Sequence, residues 1–314
     1  MTTLAPMRPA YGEALVELGR ARPDVIALSA DVSNSDFSFM FAEAFPDRFV
    51  NVGIAEQCLV DVAVGAAYTG YVPFANTFAF LFESRALEMI RTHCCYGGAA
   101  VKLMGAYCGV SDSFDGPTHH AITDMAIMRA LPGMTVVSPT DAMAVRKLLP
   151  LVAAWPGPVY MRLSRNEMPV IHDESYAPQI GKATQLRAGR DVTLIGTGLM
   201  VSRCLEASKV LAGEGIDARV VEVHTIKPLD EAQVQVAAHE TGAIVTAEEH
   251  SIVGGLGGAV LEAIAESYPV PVMRVGVRDR FATTGPYIEL LEYLGLATAD
   301  VVAAARRAVS AKRG

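Results

Sequence analysis

The chain has 314 residues and a mass of 33.3 kDa, enough for two domains with well-filled cores. Hydrophobic residues make up 51% and charged residues only 19%, a composition that points to extensive burial inside domains or against other subunits. A net charge of −8 argues against a phosphate backbone as the main partner, so small molecules and proteins are expected and nucleic acid is not.

Residues 1–30 lack a basic segment followed by an apolar core, the pattern of a secretory leader. The most apolar stretch, Leu59 to Phe82, is interrupted by Asp61, Pro73 and Asn76, which disfavours a membrane span. A cytoplasmic protein is therefore expected. Cys58, Cys94, Cys95, Cys108 and Cys204 show neither CxxC spacing nor clustering with histidines, so they read as reduced thiols and no metal site is expected.

In chain order the pattern predicts a helix over Tyr11–Arg20, strands over Val25–Ala30 and Phe49–Val52, and a helix over Ala55–Thr69. A strand over Tyr71–Ala75, a helix over Glu83–His93 and a strand over Val101–Ala106 follow. Such βα alternation implies a parallel sheet covered by helices on both faces. Pro156, Pro158, Pro169 and Pro178 mark a looser stretch, read as a linker over residues 154–188 between domains at 1–153 and 189–314. The second unit begins with a strand at Asp191–Ile195, then Gly196-Thr197-Gly198 and a helix to about Gly213. Strands Ala218–Val223, Ala243–Ala247 and Val272–Val275 alternate with helices from Asp230, Leu256 and Thr298. The two glycines lack the third glycine and the later acidic residue of a dinucleotide fingerprint, so they mark a tight strand-to-helix turn.

Glu56 is the most informative residue. It lies in Asn51-Val52-Gly53-Ile54-Ala55-Glu56-Gln57, at the mouth of a helix apolar on nearly every face and therefore expected to be wholly buried. That junction falls at the carboxyl edge of an α/β sheet, where ligands bind. Taken alone, an acidic residue in a first turn is also what the helix dipole favours in a solvated position.

Two further segments bear on the choice: Asp115-Gly116-Pro117-Thr118-His119-His120, and Glu248-Glu249-His250-Ser251-Ile252-Val253-Gly254-Gly255-Leu256-Gly257. With the Gly-Ile-Ala-Glu-Gln run, and in this order, they resemble the pyrimidine-binding and C-terminal domains of the transketolase family of thiamine diphosphate enzymes. The resemblance covers almost the whole chain. It implies two three-layer α/β/α domains, and it implies that Glu56 is the catalytic carboxylate that holds the cofactor's pyrimidine nitrogen. Phe74 and Phe78 match the aromatic wall of that ring, and Asp31 matches an aspartate near the thiazolium side. His119 matches a substrate-bonding loop histidine, Asp115 a contact to a sugar hydroxyl, and Arg165, Arg8 and Ser35 the positions that hold a substrate phosphate. Read without the family, the two phenylalanines are core residues, Asp31 is a strand-ending carboxylate, the arginines are surface residues, and His119-His120 lacks further ligands for a metal. One departure stands out: Tyr107 occupies the place where many members carry a second histidine, which leaves room for an unusual or sulfonated sugar.

Thiamine enzymes bind the diphosphate through Mg²⁺ held by a Gly-Asp-Gly motif, and the chain has none. The resemblance therefore implies one half of a split enzyme, with thiamine diphosphate shared and Mg²⁺ ligands supplied by a separate subunit, in an α2β2 assembly. The expected reaction moves a two-carbon ketol unit from a ketose to an aldose. The alternatives are a 2-oxoacid dehydrogenase β subunit, a deoxyxylulose phosphate synthase-like carboligase, and a non-catalytic regulatory subunit.

Overall fold

The runs Lys102–Ala106 and Val159–Leu163 are buried along their whole length, as strands sandwiched between two helical layers must be. They sit at the centre of the first of two α/β layers in a computed structural model that describes residues 3–312. The first layer runs β1 (Leu4–Pro6), α1 (Met7–Ala21), β2 (Val25–Ser29), α2 (Ser33–Asp36), α3 (Phe39–Ala44), β3 (Phe49–Asn51), α4 (Glu56–Tyr68), β4 (Val72–Phe78), α5 (Ala79–Ser84) and α6 (Leu87–Met89). It continues with β5 (Lys102–Ala106), α7 (Asp124–Ala130), β6 (Thr135–Val137), α8 (Ala142–Ala154), β7 (Val159–Leu163) and β8 (Glu167–Pro169). The second comprises β9 (Thr184–Arg187), β10 (Val192–Gly196), α9 (Met200–Gly213), β11 (Ala218–Glu222), β12 (Thr225–Lys227), α10 (Glu231–Thr241), β13 (Ile244–Ser251), α11 (Leu256–Ala265), β14 (Val272–Val277), α12 (Tyr287–Leu294) and α13 (Thr298–Lys312).

The larger sheet has the order β12-β6-β7-β5-β4-β2-β3, its edge strand β12 being lent by the second part of the chain, and the smaller has the order β14-β13-β10-β11-β9. Both are parallel except at one edge, where β12 runs against β6 and β9 against β11. Helices cover both faces of each sheet, α1 and α8 on one side of the first and α4, α5 and α7 on the other. The three-layer α/β/α organisation read from the alternation is the one observed. No described helix is long and apolar enough to cross a membrane.

Three local expectations need correction. The stretch 154–188 is not a bare linker: it carries β7, a strand of the first sheet, β8, which pairs with β1, and β9, an edge of the second sheet. Its prolines mislead because Pro156 and Pro158 precede β7 and Pro169 ends the short edge strand β8, positions where no ladder donor is needed. The helix expected over Glu83–His93 is broken, since the Leu81 carbonyl accepts from both Arg85 and Ala86 and ends α5, after which Ile90–Tyr96 takes π-helical turns. Helix α1 begins at Met7 rather than Tyr11 because Pro9 is tolerated in a first turn.

A buried polar network joins the two layers. Arg162 on β7, 3% exposed, donates to both carboxylate oxygens of Asp124 at 2.8 and 3.1 Å. It also donates to the Glu249 carbonyl of β13 at 3.2 Å. The Glu249 carboxylate accepts from the Val110 amide at 2.8 Å and the Tyr287 hydroxyl at 2.9 Å. Gly109 must be glycine here, because its φ is +61° and a Cβ would lie 2.5 Å from the Glu249 Oε1. Glu248 accepts from Leu256 and Gly257 at the start of α11, and the Ala126 amide donates to His250 Nε2 at 3.3 Å. The Glu248–Gly257 segment is thus the seam between the layers.

Removing Arg162 strands the Asp124 carboxylate in the interior, so Arg162→Met is expected to cost about 3–5 kcal/mol, measured by denaturant unfolding; a loss under about 1 kcal/mol would class the pair with surface ion pairs. Glu83 on α5 accepts from Thr123 at 2.8 Å, and burial, followed by the Asp124 charge, pushes it from 4.5 up to about 8. The folded chain therefore keeps a proton that the unfolded chain releases, so this contribution is present below pH 4.5 and is lost as pH rises through about 8. Glu83→Gln cannot ionise, and its melting temperature should fall less than that of the parent between about pH 5 and 8; identical profiles would contradict the assignment.

Candidate active site at the carboxyl edge of the larger sheet

Strand order reverses around β2, with β3 on one side and β4 on the other, and such a switch point opens a crevice at the carboxyl ends of the strands. Four candidate residues are delivered there by chain direction alone. Asp31 follows β2, Glu56 follows β3, Phe78 ends β4, and Tyr107 follows β5.

Glu56 is the first residue of α4 and is 4% exposed. Its charged neighbour is Arg85, whose Nε lies 3.5 Å from Oε2 and whose own side chain is largely in solvent. The surrounding helix is not wholly buried, as the sequence led one to expect. Leu59, Val60, Ala63 and Val64 pack on the sheet, whereas Cys58, Val62, Gly65 and Tyr68 lie on an open face beside the exposed Ile54. A helix lying on one sheet buries one face, and the apolar residues on the other face have nothing in this chain to cover them.

Asp31 is exposed and has a left-handed φ of +63°. Asn51 at the end of β3 holds it, donating from Nδ2 to the Asp31 carboxylate at 2.9 Å and accepting the Asp31 amide at 3.1 Å and the Gly53 amide at 3.0 Å. Asn51 thereby ties the Asp31 turn to the loop that presents Glu56, a role that sequence reading missed although the residue stands in the diagnostic run.

The two phenylalanines separate. Phe74 is fully buried in the core shared with α1, four residues short of the strand end, and does not reach the crevice. Position in the strand decides this: only the last residues of a strand reach the carboxyl rim. Phe78 is at that rim, 4.5 Å between ring centroids from Tyr107 and 6.3 Å from Phe80. Phe80, not singled out from sequence, lies 4.8 Å from the His119 ring. The His119 Nδ1 is 3.0 Å from the Thr118 hydroxyl. His120 is buried beside it with both ring nitrogens unpartnered, and burial, followed by His119, lowers its pKa.

The residues expected around a substrate anion do come together. Arg8 donates to the Ser35 carbonyl at 2.5 Å, the Tyr107 hydroxyl at 3.0 Å and the Arg165 carbonyl at 3.1 Å. Ser35 thus contributes its main chain. The Arg8 and Arg165 guanidinium groups lie 4.9 and 5.1 Å from the Tyr107 ring centroid. Tyr107 has φ +60°, an unusual conformation for a bulky residue, so it is gripped rather than resting. Arg165 pairs with Asp112, another residue that sequence reading missed, and lies 3.6 Å from Asp115. Burial, helped by the nearby Arg165 charge, lowers the Arg8 pKa, and its Nε is buried without a partner. The site therefore has an unspent cationic donor. No group of three or more His, Cys, Asp or Glu is placed to hold a metal among the described residues.

The chain is similar over almost its whole length to known proteins. The transketolase pyrimidine-binding domain matches residues 5–170 and the transketolase C-terminal domain residues 181–301. A 6-deoxy-6-sulfo-D-fructose transketolase subunit of Clostridium sp. (strain MSTE9) is 40% identical over 98% of this chain and 95% of its own length. Human transketolase is 38% identical over 97% of this chain but only 49% of its own. A solved structure described as a split gene transketolase, inactive β4 tetramer, superposes with a TM-score of 0.90 at 45% identity, covering 98% of this chain and 99% of that one. With both domains matched in order and full-length subunit relatives at this identity, the chain belongs to the transketolase family, as a subunit of the split type with a pyrimidine-binding domain followed by a C-terminal domain.

Proposed function

We propose that this chain is the β-type subunit of a cytoplasmic, thiamine diphosphate-dependent transketolase that moves a two-carbon ketol unit from a ketose to an aldose. The observation that carries the reading is the buried Glu56 carboxylate at the switch-point crevice, with Phe78 at the same carboxyl rim against Tyr107. Thiamine diphosphate, when bound, supplies the carbon that accepts and passes on the two-carbon unit. Glu56 would hold the pyrimidine ring nitrogen and the proton shared with it, and a site closed to water strengthens such a hydrogen bond. Phe78 would cover the face of that ring, and Asp31, fixed by Asn51, would face the reacting side. His119 would donate to the substrate and Asp115 would take a sugar hydroxyl.

Arg8 and Arg165 suit a tetrahedral terminal anion on the sugar, because a planar guanidinium donates two parallel hydrogen bonds to such a group. Tyr107 puts a neutral phenol between them, and Asp112 and Asp115 already offset Arg165. This balance suits a sulfonate, with its single charge, as well as a phosphate.

The second subunit would supply the diphosphate and Mg²⁺ ligands. Support comes from the lack of a Gly-Asp-Gly motif and from the uncovered apolar face of α4 beside Glu56, where Ile54 is 78% and Tyr68 63% exposed. A closed α2β2 assembly would cover that face and place cofactor sites at the subunit boundaries.

The first test is calorimetric titration of thiamine diphosphate with Mg²⁺ into this chain alone and into its complex with a subunit carrying the missing motif. Tight binding is expected only in the complex, and Glu56→Ala should lower turnover about 10²–10⁴-fold while the complex still assembles. Tight binding by the isolated chain would overturn the shared site. Arg8→Ala is expected to raise KM for an anion-terminated sugar about tenfold or more with kcat little changed, as for loss of a charge-assisted contact made equally in ground and transition states; a fall in kcat at constant KM would place Arg8 in the chemistry instead.

A further inference from the structure

A second arginine cluster lies in the C-terminal layer, away from the crevice. At the outer edge of the smaller sheet, β14, α12 and α13 enclose a cleft of about 450 Å³. Its walls carry Arg274, Arg278, Arg280 and Arg307, with Glu292 and Asp300 as the acidic residues. The lining is thus net positive by two charges at neutral pH, in a chain whose overall charge is −8.

These arginines are held in a way that most others in the chain are not. Elsewhere a carboxylate within ion-pair distance is the rule, as for Arg129 with Glu262, Arg219 with Glu240 and Arg306 with Glu214. In the cleft, three guanidinium groups are anchored by main-chain carbonyls. Arg274 donates to Ile252 at 2.8 Å, Arg278 to Arg274 at 3.2 Å, and Arg280 to Tyr293 at 2.5 Å. Arg280 also rests over the Tyr293 ring at 4.6 Å. A carbonyl orients a guanidinium without cancelling its charge, and each planar fork has five donors, so most remain to be used. One of the two lining carboxylates is already engaged: Asp300 accepts the Ala297 amide at the start of α13. Arg307 projects from the exposed face of α13 and completes the set.

We propose that this cleft binds a small anion with two or more linked phosphate groups. A single phosphate would use only part of a four-guanidinium lining, whereas linked phosphates present several oxygens, matching several forks at once. The volume admits pyrophosphate and also a nucleoside triphosphate, which share this chemistry. The site is independent of the transketolase reading and of the Arg8–Arg165 pair.

The test is calorimetric titration of the full chain with pyrophosphate and, separately, with ATP, at low and moderate ionic strength. Saturable binding that weakens with salt is expected. The R278A/R307A variant should weaken it at least tenfold with an unchanged melting curve, while R8A leaves it intact. Equal affinities would make linked phosphates the whole determinant, and tighter ATP binding would add a nucleoside contact; both outcomes support the site. Should the double variant unfold, R307E on the exposed helix face gives the same readout. Absence of saturable binding, or binding that R278A/R307A leaves unchanged and R8A removes, would overturn the proposal.

Discussion

The buried ion pair of Arg162 with Asp124 is the constraint on which the arrangement depends. A charge in the interior is costly unless its partner and its remaining donors are satisfied. Arg162 meets that condition only when two separate pieces of chain are in place: the segment with the Ala121 carbonyl and Asp124 at the start of α7, and the Glu249 carbonyl of β13. The last belongs to the other layer. Docking of the two layers and saturation of Arg162 are therefore one event, and Glu249, reaching across to Val110 and steadied by Tyr287 of its own layer, fastens the loop that carries Tyr107 and leads on to His119.

That coupling fixes the loops from which the site is built. Asp31 and Tyr107 both have positive φ, a cost of order 1–3 kcal/mol each, and each is held by a side chain from another element, Asn51 at the end of β3 and Arg8 in the first turn of α1. Asn51 is thus as much a part of the site as the residues expected to touch substrate, and Arg8 both holds Tyr107 and belongs to that set. The open apolar face of α4 stands in contrast. It lies next to the buried Glu56 carboxylate, and exposed apolar surface of that kind marks a place where another surface can pack.

Much of this was legible in the residues. Strand-helix alternation survives in sequence because a strand covered on both faces is apolar nearly throughout, as at Leu103–Ala106, and the Gly-Ile-Ala-Glu-Gln and Asp-Gly-Pro-Thr-His runs stand out as polar, glycine-bearing breaks in that alternation. What failed had a common cause. Phe74 and Phe78 share a strand and a face, and only the position of the strand end tells core from rim. The prolines of 154–188 read as loop, although proline is also permitted beside a strand and at its edge. Asn51, Phe80 and Asp112 gave no signal, because each acts through a neighbour distant in sequence.

The sequence by itself determined the family, the order of the two domains and the identity of the catalytic carboxylate candidate, since these depend on local residue types and their spacing. Tertiary structure alone decided which apolar residues of α4 are left uncovered, which phenylalanine reaches the crevice, and that Arg8, Tyr107 and Arg165 meet although 99 and 157 residues separate the first from its two partners. The physical reason is that burial and charge pairing are properties of surfaces brought together in space. A single chain position carries no record of its neighbours until the sheet edge and the seam at Arg162 have placed them.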